Sequence, residues 1–126
     1  MRVPLERSAI ARSGDKGNAA NVGVIALTES AYPVLVREVT TERVKAHFRT
    51  VCRGDVVRYE LPNLGALNFL LHESLGGGGT VSLMLDAQGK TFGAAMLGLE
   101  IDAPDDVVEA CDRVRRGERS GRPAAG

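Results

Sequence analysis

Tryptophan is absent from this chain of 126 residues, and aromatic side chains amount to only 4% of it. Single-stranded nucleic acid is held on several aromatic platforms, so that poverty argues against nucleic-acid binding. Long apolar runs are missing too: no window approaches the roughly 18 residues that a membrane-spanning helix needs. The opening MRVPLERSA holds no apolar core of a secretory signal, and the expectation is a cytoplasmic protein without membrane contact. Cysteine is scarce. Cys52 and Cys111 stand far apart with no CxxC spacing and read as two reduced thiols. Two separated histidines and two separated cysteines make no metal site, and nothing in the sequence calls for a cofactor. No Ser-His-Asp or Cys-His arrangement is recognisable, which leaves nucleophilic catalysis unsupported.

What is present fits one ordinary domain. The apolar fraction of 44% and charged fraction of 25% are those of a soluble globular protein. The formal charge is zero but uneven: residues 113–126, RVRRGERSGRPAAG, carry five arginines against one glutamate. Such a basic, Gly/Pro/Ala-rich end reads as a frayed tail beyond a terminal helix at 103–117.

Along the chain, LERSAIAR and NVGVIAL read as strands, the second buried on both faces. Residues 31–49 read as two helical pieces, with a threonine cap before ERVKAHF and Val44 and Phe48 at i,i+4. DVVRYELP alternates, with Val57, Tyr59 and Leu61 on one side and Arg58 and Glu60 on the other. LGALNFLLHESL is expected to be an amphipathic helix with a Leu64, Leu67, Leu71 and Leu75 stripe, ended by Gly76–Gly79. TVSLML and TFGAAMLGLEI then read as a hairpin around DAQGK, which presents Phe92, Ala94 and Met96 on its outer side. PDDVVEACDRVRRG closes the chain as a helix with acidic residues first and arginines last. Strands interleaved with two helices predict an α+β sandwich of the ferredoxin-like kind: a mostly antiparallel sheet, two helices on one face and a short C-terminal helix.

The densest polar stretch is ARSGDKGNAANVG, residues 11–23. Gly14 and Gly17 supply a tight reversal, and a hairpin turn is the plain reading. Yet Arg12, Ser13, Asp15, Lys16, Asn18 and Asn21 crowd around those glycines, more than turning requires. Side-chain donors beside free backbone N–H groups can hold a carboxylate or phosphate. In the binding version, Arg12 and Lys16 take an acidic group, while Ser13 and the amides around Gly14, Gly17, Asn18 and Asn21 assist. Asp15 then orients Lys16 or a substrate hydroxyl, and any chemistry would be proton transfer of the lyase or hydratase type. Asn68, beside the leucine stripe, is either a structural amide or a ligand contact. His72, with an unperturbed pKa of about 6.5, is a candidate general base, although a histidine near a helix end needs no such role. Gly77 and Gly78 would let a ligand approach the backbone closely, or simply end the helix.

ARSGDKGNAANVGVIA (11–26), LPNLGALNFLLHESLGGGG (61–79) and SLMLDAQGKTFG (82–93) together resemble the AtuA-like family. That family is a small ferredoxin-fold domain associated with acyclic-terpene-utilisation proteins, either appended to a longer domain or occurring as a separate chain. The likeness covers about residues 6–102, with RSGDKGN its most specific element. It implies the same fold and a setting in catabolism of branched or isoprenoid acids, usually as CoA thioesters. It also implies a larger AtuA-like partner, and brings no established catalytic residue. The leading expectation is therefore a small subunit or accessory domain with an anion-binding loop at 12–21, taking an acyl-CoA or organic-acid ligand. The alternative is a non-catalytic homo-oligomerisation or docking module.

Overall fold

The computed structural model describes residues 1–16, 19–49, 52, 54–73 and 92–117. Strands β2 (Ala9–Lys16) and β3 (Ala19–Ala26) form an antiparallel hairpin paired from Ala9↔Ala26 to Lys16↔Ala19. A short strand β1 (Arg2–Pro4) and a single 3-10 turn, Leu5–Arg7, precede them. The residues expected to form a loop from Arg12 onward therefore lie mostly in strand.

In β3 the two-residue period is explicit. Ala20, Val22, Val24 and Ala26 are 1% exposed or less, whereas Asn21, Gly23 and Ile25 are only half-buried. The expectation of burial on both faces is thus corrected: one side enters the core and the other does not.

Helices α1 (Ala31–Glu38) and α2 (Thr41–His47) follow as the sequence predicts. Thr40 caps α2 by accepting the Arg43 N–H at 3.2 Å, and Val44 and Phe48 are buried beneath it. Strand β4 (Val56–Leu61) then leads through a 3-10 turn, Pro62–Leu64, and Gly65 in the left-handed region (φ 60°) into β5 (Ala66–Leu71).

The helix expected over LGALNFLLHESL is therefore wrong: its central residues are a strand. Leu67 and Leu71 satisfy helical spacing and strand alternation equally well. Phe69, fully buried between them, and Leu64, 63% exposed, decide for alternation. Gly65 is the physical break, since its positive φ turns the chain directly from β4 into β5. The sheet order is β2-β3-β5-β4, antiparallel throughout.

A second correction concerns TFGAAMLGLEI. Residues 92–97 form a helix, α3, and only Glu100–Asp102 (β6) is a strand, paired with β1. Phe92 and Met96, spaced i,i+4, are 4% and 0% exposed, so they line a buried helix stripe and not an outer strand face. TVSLML, DAQGK and Gly76–Gly79 lie outside the described residues.

Helix α4 (Asp105–Arg115) follows Pro104, with Asp105 and Asp106 in its first turn and Arg113 and Arg115 in its last. Gly117, at φ 86°, ends it.

All four helices pack on the same side of the sheet as Val22, Val24, Leu67 and Phe69. This is an α+β, ferredoxin-like fold. Truncating Phe69 to alanine at the centre of that core would cost about 3–5 kcal/mol.

Polar ties hold the layers in register. Arg7 grips Asp112 with Nε–Oδ1 at 3.1 Å and Nη2–Oδ2 at 2.8 Å, joining the first turn to α4. The hydrogen bond and charge of Arg7 hold the Asp112 carboxyl below its usual range. His47 donates from Nε2 to Ala95 O at 2.7 Å, and the Phe48 and Phe92 rings meet at 5.3 Å, so α2 and α3 are locked together.

Candidate functional site

The register of the four-stranded sheet sorts its side chains into cross-strand rows. Residues opposite one another in neighbouring strands point to the same face. Arg12 pairs with Gly23, Gly23 with Asn68 and Asn68 with Tyr59, so these four positions form one row across the whole sheet. The next row toward the hairpin end is Gly14, Asn21, Leu70 and Val57. On the other side lies an apolar row of Ile10, Ile25, Ala66 and Leu61.

All of these positions occupy the face opposite the core. Arg12 is exposed there, Tyr59 is 48% exposed, and none of Ile10, Ile25, Val57, Leu61 or Leu70 belongs to the core. Large apolar residues left exposed are concentrated here, with Ile10 at 46% and Leu61 at 40%. Grouping of this kind, more than any single exposed leucine, marks a surface built for contact.

Gly23 shapes the centre of the face. A Cβ placed on it would stand 3.7 Å from Asn68 Oδ1 and 3.9 Å from Arg12 O, so the missing side chain leaves a shallow opening between arginine and amide. Gly14 is similarly open, with nothing within 4 Å of its would-be Cβ. Asn21, two residues before Gly23, carries an Oδ1 that is buried and makes no hydrogen bond. Leaving such an acceptor unpaired costs about 1–3 kcal/mol. Among the described residues no hydrogen bond to that oxygen repays the cost.

The other sequence candidates divide clearly. Ser13 pairs with the fully buried Val22, so it faces the helices, where its Oγ accepts the Gly93 N–H at 3.1 Å. It ties β2 to the start of α3. Asp15 and Lys16 pair with Ala20 and Ala19 at the end of the hairpin. His72 stands exposed just beyond Leu71, which pairs with Ala20, and so lies at that same end of the sheet. Its main chain is engaged: His72 N–H donates to Asp55 O at 2.9 Å and its carbonyl accepts the Gly54 N–H at 3.0 Å. Gly17, Asn18, Gly77 and Gly78 lie outside the described residues.

Asn68, which the sequence leaves open between a structural amide and a ligand contact, stands on a strand and not on the expected helix. The sequence reading did not single out Gly23 or Tyr59 as site positions. The signal was available in the two-residue alternation of VVRYEL and AANVGVIA.

Both cysteines are buried and free. Burial pushes each thiol up from its ordinary value, and Cys111 lies 3.6 Å from Thr28 Oγ1 inside the core. Both side chains pack in the core. Among the described residues no group of His, Cys, Asp and Glu could hold a metal ion, and no helix is long and apolar enough to cross a membrane.

The model of the AtuA ferredoxin-like domain matches residues 3–102. The chain belongs to the AtuA ferredoxin-like domain family. The match takes in both sheets, α1, α2, α3 and the Arg12–Tyr59 row, and stops before α4. No curated protein and no solved structure matches the chain. In this AtuA ferredoxin-like domain the polar row sits at the centre of the sheet face that the helices leave to one side.

Proposed function

We propose that this chain is an accessory domain or small subunit of a larger AtuA-type protein, and that its outer sheet face binds the acidic end of a branched or isoprenoid acyl-CoA or organic acid. The observation that carries this reading is the row of Arg12, Gly23, Asn68 and Tyr59, with the orphaned Asn21 Oδ1 beside it. A guanidinium is the side chain best suited to a carboxylate or phosphate, and an amide and a phenol alongside would fix the ligand's orientation. A ligand hydroxyl or amide would satisfy Asn21. Lys16, at the end of the same hairpin, would extend the basic character of the site. The role is binding; Asp15, Lys16 and His72 would act on the ligand only as proton-transfer groups. Two free, buried thiols support a cytoplasmic setting.

Isothermal titration with CoA thioesters and small organic acids tests the reading. Arg12→Ala and Asn68→Ala are expected to weaken binding at least tenfold, the worth of about one charge-assisted hydrogen bond. Wild-type affinity in Arg12→Ala would sink it. Co-purification with a larger AtuA-type protein tests the accessory role separately.

A second reading rests on the exposed apolar residues Ile10, Tyr59, Leu61 and Leu64. Their grouping favours self-association of this chain alongside ligand binding.

A further inference from the structure

Among the described residues strand β4 is an edge strand: it pairs with β5 on one side, and β5 in turn pairs with β3. The hydrogen-bonding phase is set by His72 N–H donating to Asp55 O and by Ala26 N–H donating to Gly65 O. Together these direct the main-chain groups of Val57, Tyr59 and Leu61 toward β5, and those of Val56, Arg58 and Glu60 outward. Among the described residues these outward groups have no main-chain partner. Natural edges are protected by proline, a bulge, an inward-pointing charge or a covering helix or loop. Inside VVRYEL there is no proline, and its two charges, Arg58 and Glu60, are of opposite sign and neutralise each other through an Nη2–Oε2 hydrogen bond of 2.9 Å.

We propose that two copies of this chain pair antiparallel through the outer edges of β4, in the register centred on Tyr59. The proposal rests on the self-association reading above and names its surface. Only this register matches charge with hydrogen-bonding phase. It sets Arg58 opposite Glu60 of the second copy, and Glu60 opposite Arg58 of the second copy, each a pair whose outward groups can exchange main-chain hydrogen bonds. Centring on Arg58 would oppose two arginines, and centring on Glu60 two glutamates, which is destabilising. On the outer face the same register brings the Tyr59 rings of the two copies together and sets Val57 against Leu61 of the second copy. It would cover Tyr59 and Leu61, which the isolated chain leaves 48% and 40% exposed, next to Leu64 at 63%. The two four-stranded sheets become one, and the Arg12–Tyr59 row continues into its symmetry mate. Pro62, which lacks an N–H, ends the ladder where the chain turns away.

Sedimentation equilibrium of the full chain tests this. The wild type is expected to be a dimer. Glu60→Arg, at an exposed position, turns both cross-strand pairs repulsive and should raise the dimer dissociation constant about tenfold or more. Arg58→Glu should do the same, with circular dichroism checking the fold of both variants, since Arg58 donates within the chain to Glu60 Oε2 at 2.9 Å and to Val36 O and Val39 O at 2.8 and 3.0 Å. An equimolar mixture of the two variants sets two acidic positions on one edge against two basic positions on the other, and heterodimers should form with near wild-type affinity. A monomeric wild type would overturn both the self-association reading and this interface. A wild-type dimer that Glu60→Arg leaves unchanged, or a mixture that restores nothing, would overturn the β4 interface alone.

Discussion

Asn68 lies directly across the strand pair from Gly23, and its Oδ1 stands 3.7 Å from where a side chain on Gly23 would begin. That spacing is ordinary van der Waals contact, so the fold does not demand glycine there. Gly23→Ala should fold with unchanged or slightly higher stability, by up to about 1 kcal/mol, because alanine has less backbone freedom to lose. The larger Gly23→Val should also fold, yet occupy the opening between Arg12 and Asn68 and weaken ligand binding. Urea denaturation and titration read the two effects. A loss of stability beyond about 1 kcal/mol in Gly23→Ala would show that glycine serves the fold instead of the surface.

Asn21 offers the complementary exchange. Its Oδ1 is buried without a hydrogen bond, which leaves a desolvation cost in place. Asn21→Val removes the orphan and suits the strand better, so stability should rise by about 1 kcal/mol. Ligand affinity should fall if the amide is kept for a ligand. Destabilisation on urea denaturation would mean that Asn21 supports the fold, and the site would lose that residue.

Acid should loosen the junction between α1, α2 and the β1–β6 ribbon. Burial disfavours the charged form of Glu38, but the Asp102 N–H at 2.8 Å and the guanidinium groups of Arg37 and Arg43 outweigh it and hold the carboxyl below its usual range. Arg43 also donates to Glu100 O, and Arg37 to Asp102 O at 2.9 Å, so one carboxylate organises both helices and the ribbon. Because the folded pKa lies below that of the unfolded chain, this stabilisation is complete above the ordinary carboxylate range. It is lost as pH falls through the lower folded value. Glu38→Gln should cost about 1–2 kcal/mol at neutral pH and show a shallower decline of melting temperature below pH 5 than the wild type. Parallel pH profiles for the two proteins would remove Glu38 from this role.

The fold class was legible because its strongest signals are local. Thr40 before TERVKAHF, Pro104 before an acidic first turn and Gly117 after the arginines each mark a helix end by chemistry that acts within one turn. The misread elements are those in which leucines fit two periods at once. Leu67 and Leu71 are four apart, which suits a helix, and both lie an even number of residues from Phe69, which suits a strand. Only pairing with β3 and β4 settles the choice. The reverse happened at Phe92 and Met96, which alternate like strand residues but are buried on one side of a helix. For the same reason the candidate site was half visible. Arg12, Asn21 and Asn68 stood out by residue type, whereas their alignment with Gly23 and Tyr59 exists only through long-range register, which no local pattern carries.

Arg12 and Ser13 are neighbours in the chain and work on opposite faces, so they should separate binding from stability. Ser13 Oγ accepts the Gly93 N–H at 3.1 Å, and Gly93 is buried. Ser13→Ala leaves that N–H without an acceptor and should lower stability by about 1–2 kcal/mol, with ligand affinity unchanged. Arg12 is exposed and makes no ion pair among the described residues. Arg12→Ala should therefore stay within about 0.5 kcal/mol of the wild type in stability while weakening binding of an acidic ligand. Chemical denaturation and titration on the same two samples give four readings. If Ser13→Ala loses affinity as Arg12→Ala does, the ligand bridges the edge of β2, and the outer face alone is not the site.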